Sequence, residues 1–226
     1  MITAYYIQKN IGSIDEGRLF SMLSVLPADR REKALRFKMH EGKVLSALSW
    51  LLLLYLLEME DIHHGSFDIK TGKNEKPFVP DESFFFNISH TSGAVLAAAG
   101  FSPVGADIQR IMEKGCEAVA KRVLKPAELQ LFSHSDAPER EFARLWTLKE
   151  SYIKYTGEGI SALEDAPDFS SFERTGGRLP NGPSFLTEEG DSLFVSICSD
   201  DTIKIREIEL DRVLSHLIKS DLSKNP

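Results

Sequence analysis

The sequence predicts an α+β protein built in two halves with a similar order of elements. In each half a strand is followed by helices and then by short strands, so the pattern restarts near the middle of the chain. The restart falls at Phe101-Ser102-Pro103, where the proline restricts the residue before it to extended geometry. We therefore expect an N-terminal lobe over residues 1–102 and a C-terminal lobe over residues 103–226.

The elements follow from apolar periodicity. The first half predicts a strand at 2–8, helices between about 14 and 57, and strands near 66–70, 84–89 and 94–100. The second half predicts a strand at 103–109 and helices near 113–123, 126–132 and 138–156. Strands are expected around 169–173, 183–187, 192–198 and 203–208.

Composition is that of a globular protein. Of the 226 residues 42% are hydrophobic and 27% are charged, which rules against global disorder. The net charge of −7 argues against general nucleic-acid binding. The two cysteines, Cys116 and Cys198, are far apart and predict neither a disulfide framework nor a zinc site.

No targeting or membrane segment is expected. The N-terminus lacks a basic region followed by an apolar run, so the expected location is the cytoplasm. The apolar stretch Leu51–Leu57 ends at Glu58, well short of the ~20 residues of a membrane span, and is expected to form a buried helix.

Two segments some forty residues apart carry a pattern of oxygen ligands. In the predicted strand, Asp107 and Gln109 project from one face, because Val104, Ala106 and Ile108 take the other. In the predicted helix, Glu150 and Lys154 lie one turn apart on one face. Oxygen ligands without a nearby His or Cys pair suit a hard cation such as Mg²⁺. Alternatively, the Asp is a turn residue and the Glu–Lys pair is a solvated contact worth about 0.3–0.5 kcal/mol.

A basic segment lies in the first half. It contains Arg30, Arg31, Lys33, Arg36, Lys38, His40 and Lys43. Taken alone, such a run is either a solvated helix face or an anion-binding surface.

Four ordered motifs resemble those of the Sfp-type 4′-phosphopantetheinyl transferases. They are Lys76-Pro77, Asn87-Ile88-Ser89-His90-Thr91-Ser92, Gly105-Ala106-Asp107-Ile108-Gln109 and the helix segment 146–154. The resemblance runs from about Pro27 to Lys154. It implies two α+β lobes related by pseudo-twofold symmetry, with the active site in the cleft between them.

The resemblance implies roles for individual residues. Coenzyme A, the substrate, would be bound by Lys33, Arg36, Lys43, Lys76, Pro77, Ser89 and His90. Asp107, Gln109 and Glu150 would bind Mg²⁺. Glu150 would also act as the base, and Lys154 would bind a phosphate oxygen and hold Glu150 ionised.

Two positions depart from the family pattern. Glu75 stands where the family usually has Gly, which places an anion beside a proposed nucleotide contact. Gln109 stands where the family commonly has Glu, so weaker metal binding is expected.

The implied reaction joins 4′-phosphopantetheine to a serine of an apo carrier protein and releases 3′,5′-adenosine bisphosphate. The carrier would dock on Ile111 and Met112, with Lys114, Lys121, Arg122 and Lys125 around them. We expect a monomer without nucleic-acid or membrane partners. Two other hypotheses remain: a non-catalytic coenzyme A-binding module, which Gln109 favours, and a Mg²⁺-dependent phosphohydrolase that needs no acceptor.

Overall fold

The computed structural model describes residues 1–62, 69–71, 77–80 and 83–224, with 218–224 described by their backbone only. It contains two four-stranded sheets and a two-stranded ribbon, together with α-helices from both halves of the chain. The predicted α+β class is confirmed, and the two sheets are consistent with two lobes.

The first sheet has the strand order β10-β1-β5-β4. Its strands are β1 (Ile2–Ile7), β4 (Phe85–Thr91), β5 (Ala94–Gly100) and β10 (Ile203–Glu207). Strand β1 is antiparallel to β5 and parallel to β10. In this order strand β4 forms one edge of the first sheet. A separate short ribbon pairs β2 (Lys70–Thr71) with β3 (Pro77–Phe78).

Helices cover the outer face of the first sheet. They are α1 (Glu16–Ser24), α2 (Ala28–Leu35), α3 (His40–Met59) and α7 (Leu210–Lys224). Helix α3 is the central one, and it is long and apolar enough by length and composition to cross a membrane. However, 67% of its most apolar stretch is buried, and its leucines form the core against β5. This agrees with the buried helix expected around Leu51–Leu57.

The second sheet is antiparallel, with the order β6-β9-β8-β7. Its strands are β6 (Val104–Arg110), β7 (Gly176–Arg178), β8 (Ser184–Glu189) and β9 (Leu193–Ser199). Its helices are α4 (Glu117–Val123), α5 (Pro126–His134) and α6 (Pro138–Thr156). Strand β6 forms one edge of this sheet.

An apolar layer joins the two sheets. One face of β1 and β5, through Ile2, Ala4 and Leu96, shares a buried cluster with Val104, Ala106 and Ile108 of β6. Because side chains alternate along a strand, the opposite face of β6 carries Gly105, Asp107 and Gln109. The structure therefore places this polar face toward helix α6.

Three features differ from the sequence-based expectations. The chain returns to the first sheet through β10, and Val213 and Leu217 of α7 join its core, whereas the division at residue 102 assigns these residues to the second lobe. Helix α7 follows β10, where no element was predicted. The strand predicted at 169–173 is absent, because Phe169 is instead buried from a loop whose backbone N–H donates to Glu128.

Candidate active site

Gly105 allows helix α6 to lie directly on strand β6. A Cβ at this position would fall 2.9 Å from the Tyr155 Cα and closer still to the Ser151 carbonyl oxygen. Any larger residue would therefore hold the helix away from the strand. The close approach brings Glu150 and Lys154 of α6 next to Asp107 of β6.

The Asp107 carboxylate is buried and unevenly bonded. Its Oδ1 accepts hydrogen bonds from the Ser89 hydroxyl at 2.7 Å and from the Lys154 ammonium at 2.6 Å. Its Oδ2 is also buried but has no hydrogen-bond partner among the described residues. A buried carboxylate oxygen without a partner is costly unless another group, such as a cation, binds it.

Glu150 lies one helical turn before Lys154 on α6. Its Oε2 is 4.0 Å from the Lys154 Nζ, and the residue is buried. Burial raises the pKa of Glu150 to about 7, repulsion by Asp107 adds to the rise, and attraction by Lys154 partly offsets it. In the absence of a cation, Glu150 is therefore poised to gain or lose a proton near neutral pH.

The two sheet edges meet at this site. The Asn87 side-chain oxygen on β4 accepts the backbone N–H of Ala106 at 3.2 Å. Farther along, the Arg110 guanidinium of β6 donates to the Ser92 carbonyl at 2.8 Å. Together with the Ser89–Asp107 bond, these contacts run in the same order along β4 and β6, so the two edge strands lie side by side in the same direction.

His90 stands at the rim of the site with an exposed side chain. Partial desolvation and the nearby Lys154 ammonium lower the pKa of His90, while Asp107 opposes the change. The imidazole is therefore neutral near pH 7 and can donate or accept a hydrogen bond.

A cavity of about 390 Å³ opens beside Glu150 and Lys154. Its other walls come from β3, β4, the end of α6 and the loop that follows, namely Pro77, Phe86, Asn87, Ile88, Ile153, Gly157, Gly159, Ile160 and Ser161. The loop turns through Gly157 and Gly159, whose φ angles are 78° and 83°. The G-x-G pattern of these two glycines directly follows the predicted helix. It could have predicted, from the sequence, a turn that forms this wall of the cavity.

The structure brings together only part of the predicted site. Asp107, Glu150, Lys154 and Ser89 form one cluster, and Pro77 lines the adjoining cavity. Gln109 lies on the expected strand face, but its side-chain N–H donates to the Arg110 carbonyl at 3.0 Å. Lys76 lies outside the described residues.

The α3 end of the basic segment lies near the His90 end of β4. Glu41, in the first turn of α3, accepts hydrogen bonds from the Ser92 hydroxyl at 2.7 Å and from the Gly93 N–H at 3.2 Å. Lys33 and Arg36 are exposed and Lys43 is half-buried.

The sequence did not predict Asn87 and Arg110 as site residues, because their roles depend on contacts between distant parts of the chain.

The donor set fits a hard cation. The described residues contain no group of three or more His, Cys, Asp or Glu side chains that could hold a metal unaided. Asp107 Oδ2 and the Glu150 carboxylate nevertheless provide two oxygen donors. Mg²⁺ usually keeps several waters and substrate phosphates, so two protein carboxylates suffice for it.

Comparison with known proteins identifies the family. The family model for the 4′-phosphopantetheinyl transferase superfamily matches residues 103–204. A 4′-phosphopantetheinyl transferase of Bacillus subtilis is 31% identical over 173 residues, which cover 73% of this chain and 74% of the relative. This chain belongs to the 4′-phosphopantetheinyl transferase superfamily.

Other superfamily members are similarly related. The 4′-phosphopantetheinyl transferase ffp of Bacillus subtilis is 32% identical over 170 residues, which cover 73% of this chain and 74% of the relative. The 4′-phosphopantetheinyl transferase psf-1 of Bacillus pumilus is 39% identical over 111 residues, 48% of this chain and 45% of the relative. The predicted family and the predicted transferase activity are confirmed. The roles of the individual site residues stay predictions.

Proposed function

We propose that this phosphopantetheinyl transferase moves 4′-phosphopantetheine from coenzyme A to a serine of an apo carrier protein, with Mg²⁺, and releases 3′,5′-adenosine bisphosphate. One observation carries the proposal. Glu150 and Lys154 line a cavity that β4 of the first sheet also lines, and Lys154 donates to the buried Asp107 carboxylate beside it. A phosphate-rich substrate needs cationic partners, and its reacting serine needs a base.

Lys154 is the proposed phosphate-binding cation. Its side chain is 26% exposed, so the ammonium reaches the cavity while it remains bonded to Asp107. A phosphate oxygen that approaches Lys154 would form a charge-assisted hydrogen bond there. Because the ammonium is also fixed by Ser89, it would orient the pyrophosphate as well as neutralise it.

Glu150 is the proposed base, directly or through a water. A base works best when its pKa lies near the operating pH, and in the metal-free protein burial raises the pKa of Glu150 in that direction. Asp107 and Glu150 would hold Mg²⁺, with Gln109 as a third donor through its amide oxygen or a water. The ion would neutralise charge that develops on the pyrophosphate.

The first half would bind the rest of coenzyme A. Pro77 lines the cavity, and the charges of Lys154 and Asp107 act on His90. Pro77 and His90 are both proposed to contact the nucleotide. Lys33, Arg36, Lys43 and Lys76 are proposed to bind its phosphates.

The carrier protein is expected to dock after β6. Met112 is 41% exposed there, and Ile111 is half-buried. Among the surrounding cations, Lys114 and Lys121 are exposed, whereas Arg122 and Lys125 already bond Glu164. A monomer in the cytoplasm without nucleic-acid or membrane partners also stays a prediction.

The test is incubation with coenzyme A, Mg²⁺ and a panel of apo carrier proteins, followed by intact-mass measurement of every product. A carrier that gains one phosphopantetheine supports transfer. Binding of coenzyme A without any change would instead indicate a binding module, and cleavage without an acceptor would indicate a phosphohydrolase. Asp107→Asn should abolish the gain, whereas Asp191→Asn, at an exposed acid in the turn between β8 and β9, should leave it unchanged.

A further inference from the structure

We infer that Ser196 is a positioning residue that fixes helix α6 on the second sheet, so that Glu150 of the helix and Asp107 of β6 can bind the same cation. Ser196 lies on β9, the strand between β6 and β8. Its side chain is fully buried, so it acts through its neighbours. The inference rests on the proposed function for the binding of Mg²⁺ by Asp107 and Glu150.

Three buried hydroxyl groups connect α6 to the second sheet. The Ser196 Oγ lies 2.9 Å from the Oγ1 of Thr147 on α6 and 3.1 Å from the Oγ1 of Thr187 on β8. All three residues are buried, so water does not replace a lost partner. A buried hydroxyl without a hydrogen bond is costly, and the folded protein therefore favours the one helix position that satisfies all three.

The protons of this hydroxyl chain run in one direction. Each hydroxyl carries a single proton, and Thr147 donates its own to the Arg144 carbonyl at 2.9 Å. Both remaining contacts can be hydrogen bonds only when Ser196 donates to Thr147 and Thr187 donates to Ser196. Ser196 is the central member, because it is the one that donates to the helix and accepts from the sheet.

The hydroxyl chain lies beside the proposed metal ligands. Ser196 pairs directly with Asp107 across β9 and β6, and Glu150 follows Thr147 by about one turn of α6. Strand pairing fixes the distance from Ser196 to Asp107, and helix geometry fixes the distance from Thr147 to Glu150. The Ser196–Thr147 hydrogen bond joins these two fixed distances. It therefore determines where Glu150 stands relative to Asp107.

Apolar packing does not fix this position as sharply. Leu148 and Ile153 of α6 share an apolar cluster with Cys198 of β9. Such contacts are not directional, whereas a hydrogen bond weakens steeply when its angle changes. Gly105 permits the helix to approach the strand closely, but the space above a glycine does not select a position along the strand. The directional contact at Ser196 supplies that selection.

The experiment measures metal binding without coenzyme A or carrier. Mg²⁺ is titrated by calorimetry, and Mn²⁺ by electron paramagnetic resonance, into the wild type, Ser196→Ala, Thr147→Val and Thr147→Ser. Valine keeps the shape of threonine without its hydroxyl, whereas serine keeps the hydroxyl. Loss of a residue that orients a metal ligand typically weakens affinity by about 10- to 100-fold. We expect this for Ser196→Ala and Thr147→Val but not for Thr147→Ser. The double variant Ser196→Ala with Thr147→Val should bind no more weakly than either single variant, because both remove the same bond.

Ser151→Ala is the matched control. This serine is also buried on α6, but its hydroxyl donates within the helix, to the Leu148 carbonyl at 2.9 Å. The variant should bind metal like the wild type. Thermal unfolding shows whether each variant is folded. A purely structural role of Ser196 would lower the unfolding temperature and leave the metal dissociation constant of the folded protein unchanged.

Several outcomes would overturn the inference. They are an unchanged metal dissociation constant in folded Ser196→Ala or Thr147→Val, an equal loss in Thr147→Ser and Thr147→Val, or the same loss in Ser151→Ala. If Ser196→Ala does not fold, the two Thr147 variants decide. Absence of metal binding by the wild type would overturn the inference together with the metal step of the proposed function. A wild type that binds metal but modifies no carrier would refute the proposed function alone.

Discussion

Charged side chains in the two halves of the protein differ in how firmly they are fixed. Asp107, Glu150 and Lys154 of the second sheet and its helix are buried or half-buried and bonded to one another. In the described part of the chain, Lys33 and Arg36 form no salt bridge, and both side chains are exposed. Groups that take part in the reaction work best in fixed positions, because a small displacement can greatly lower the catalytic rate. Exposed cations on long side chains instead supply attraction that adapts to the ligand.

The comparison predicts that substitutions in the second half change turnover, whereas substitutions in the basic segment change affinity. The largest effect is expected for Asp107→Ala. The variant loses the proposed anionic metal ligand together with the carboxylate that accepts from Lys154, so kcat/KM should fall by at least about 10²–10³-fold. Steady-state transfer to a carrier at several Mg²⁺ concentrations measures this. Near-normal turnover at limiting Mg²⁺ would remove Asp107 from the metal site.

Gly105→Ala tests the fixed geometry without touching a charged group. The added methyl group meets the backbone of α6 near Tyr155, so the helix must move away from β6. We expect a stability loss of about 1–3 kcal/mol. A displacement on the order of 1 Å of Glu150 and Lys154 should lower kcat roughly 10²-fold.

Gly12→Ala is the control for Gly105→Ala, because a Cβ at Gly12 would meet nothing within 4 Å. It should keep wild-type stability and turnover, as measured by chemical unfolding and carrier transfer. If Gly105→Ala also kept full turnover, the close approach of α6 to β6 would not be what positions the reacting groups.

Local patterns in the sequence predicted the second half of the site better than the first. Helix α6 forms over the predicted residues. Strand alternation correctly placed Asp107 on the face of β6 that lies opposite to the face of Ala106 and Ile108. The Glu150–Lys154 pair follows from helix spacing alone. These features depend on residues close together in the chain, which is why periodicity reveals them.

Features that depend on distant residues were not predictable in this way. The pairing of β10 with β1 joins the two ends of the chain, and no local pattern specifies a partner strand. The contact of Ser89 with Asp107 likewise requires the two sheet edges to meet. The resemblance named Ser89, but only the structure shows the direction of its hydroxyl.

The raised pKa of Glu150 predicts an effect of pH on the stability of the metal-free protein. Between pH 4.5, the ordinary value, and about 7, the folded state binds a proton that the unfolded state releases. The associated stability is full below pH 4.5 and is lost as pH rises through about 7, a change of about 3 kcal/mol. Glu150→Gln lacks this titration, so it should match the wild type at pH 4.5 and be more stable at pH 7.5.

Urea unfolding in the presence of EDTA measures this difference across the pH range. Glu164→Gln, at an exposed residue paired with Arg122, tests for a general charge effect. Added Mg²⁺ should stabilise the wild type at pH 7.5 more than Glu150→Gln, since the ion binds the ionised carboxylate. Equal pH slopes for the wild type and Glu150→Gln would show that the carboxyl titrates normally despite its burial.

The smallest effects are expected in the basic segment. Lys33→Ala, Arg36→Ala and Lys43→Ala each remove one attraction for the coenzyme phosphates, and exposed charge pairs are typically worth about 0.2–1 kcal/mol. KM for coenzyme A should therefore rise by roughly 1.5- to 5-fold with kcat unchanged.

Lys204→Ala is the matched control, because this exposed lysine lies on β10, at the edge of the first sheet opposite β4. Added salt screens exposed charges, so the wild-type KM should rise toward that of the three variants, whereas kcat should be less affected because the groups around Asp107 are buried. A fall in kcat for Lys33→Ala or Arg36→Ala, or the same KM increase for Lys204→Ala, would show that the two halves do not divide binding and reaction between them.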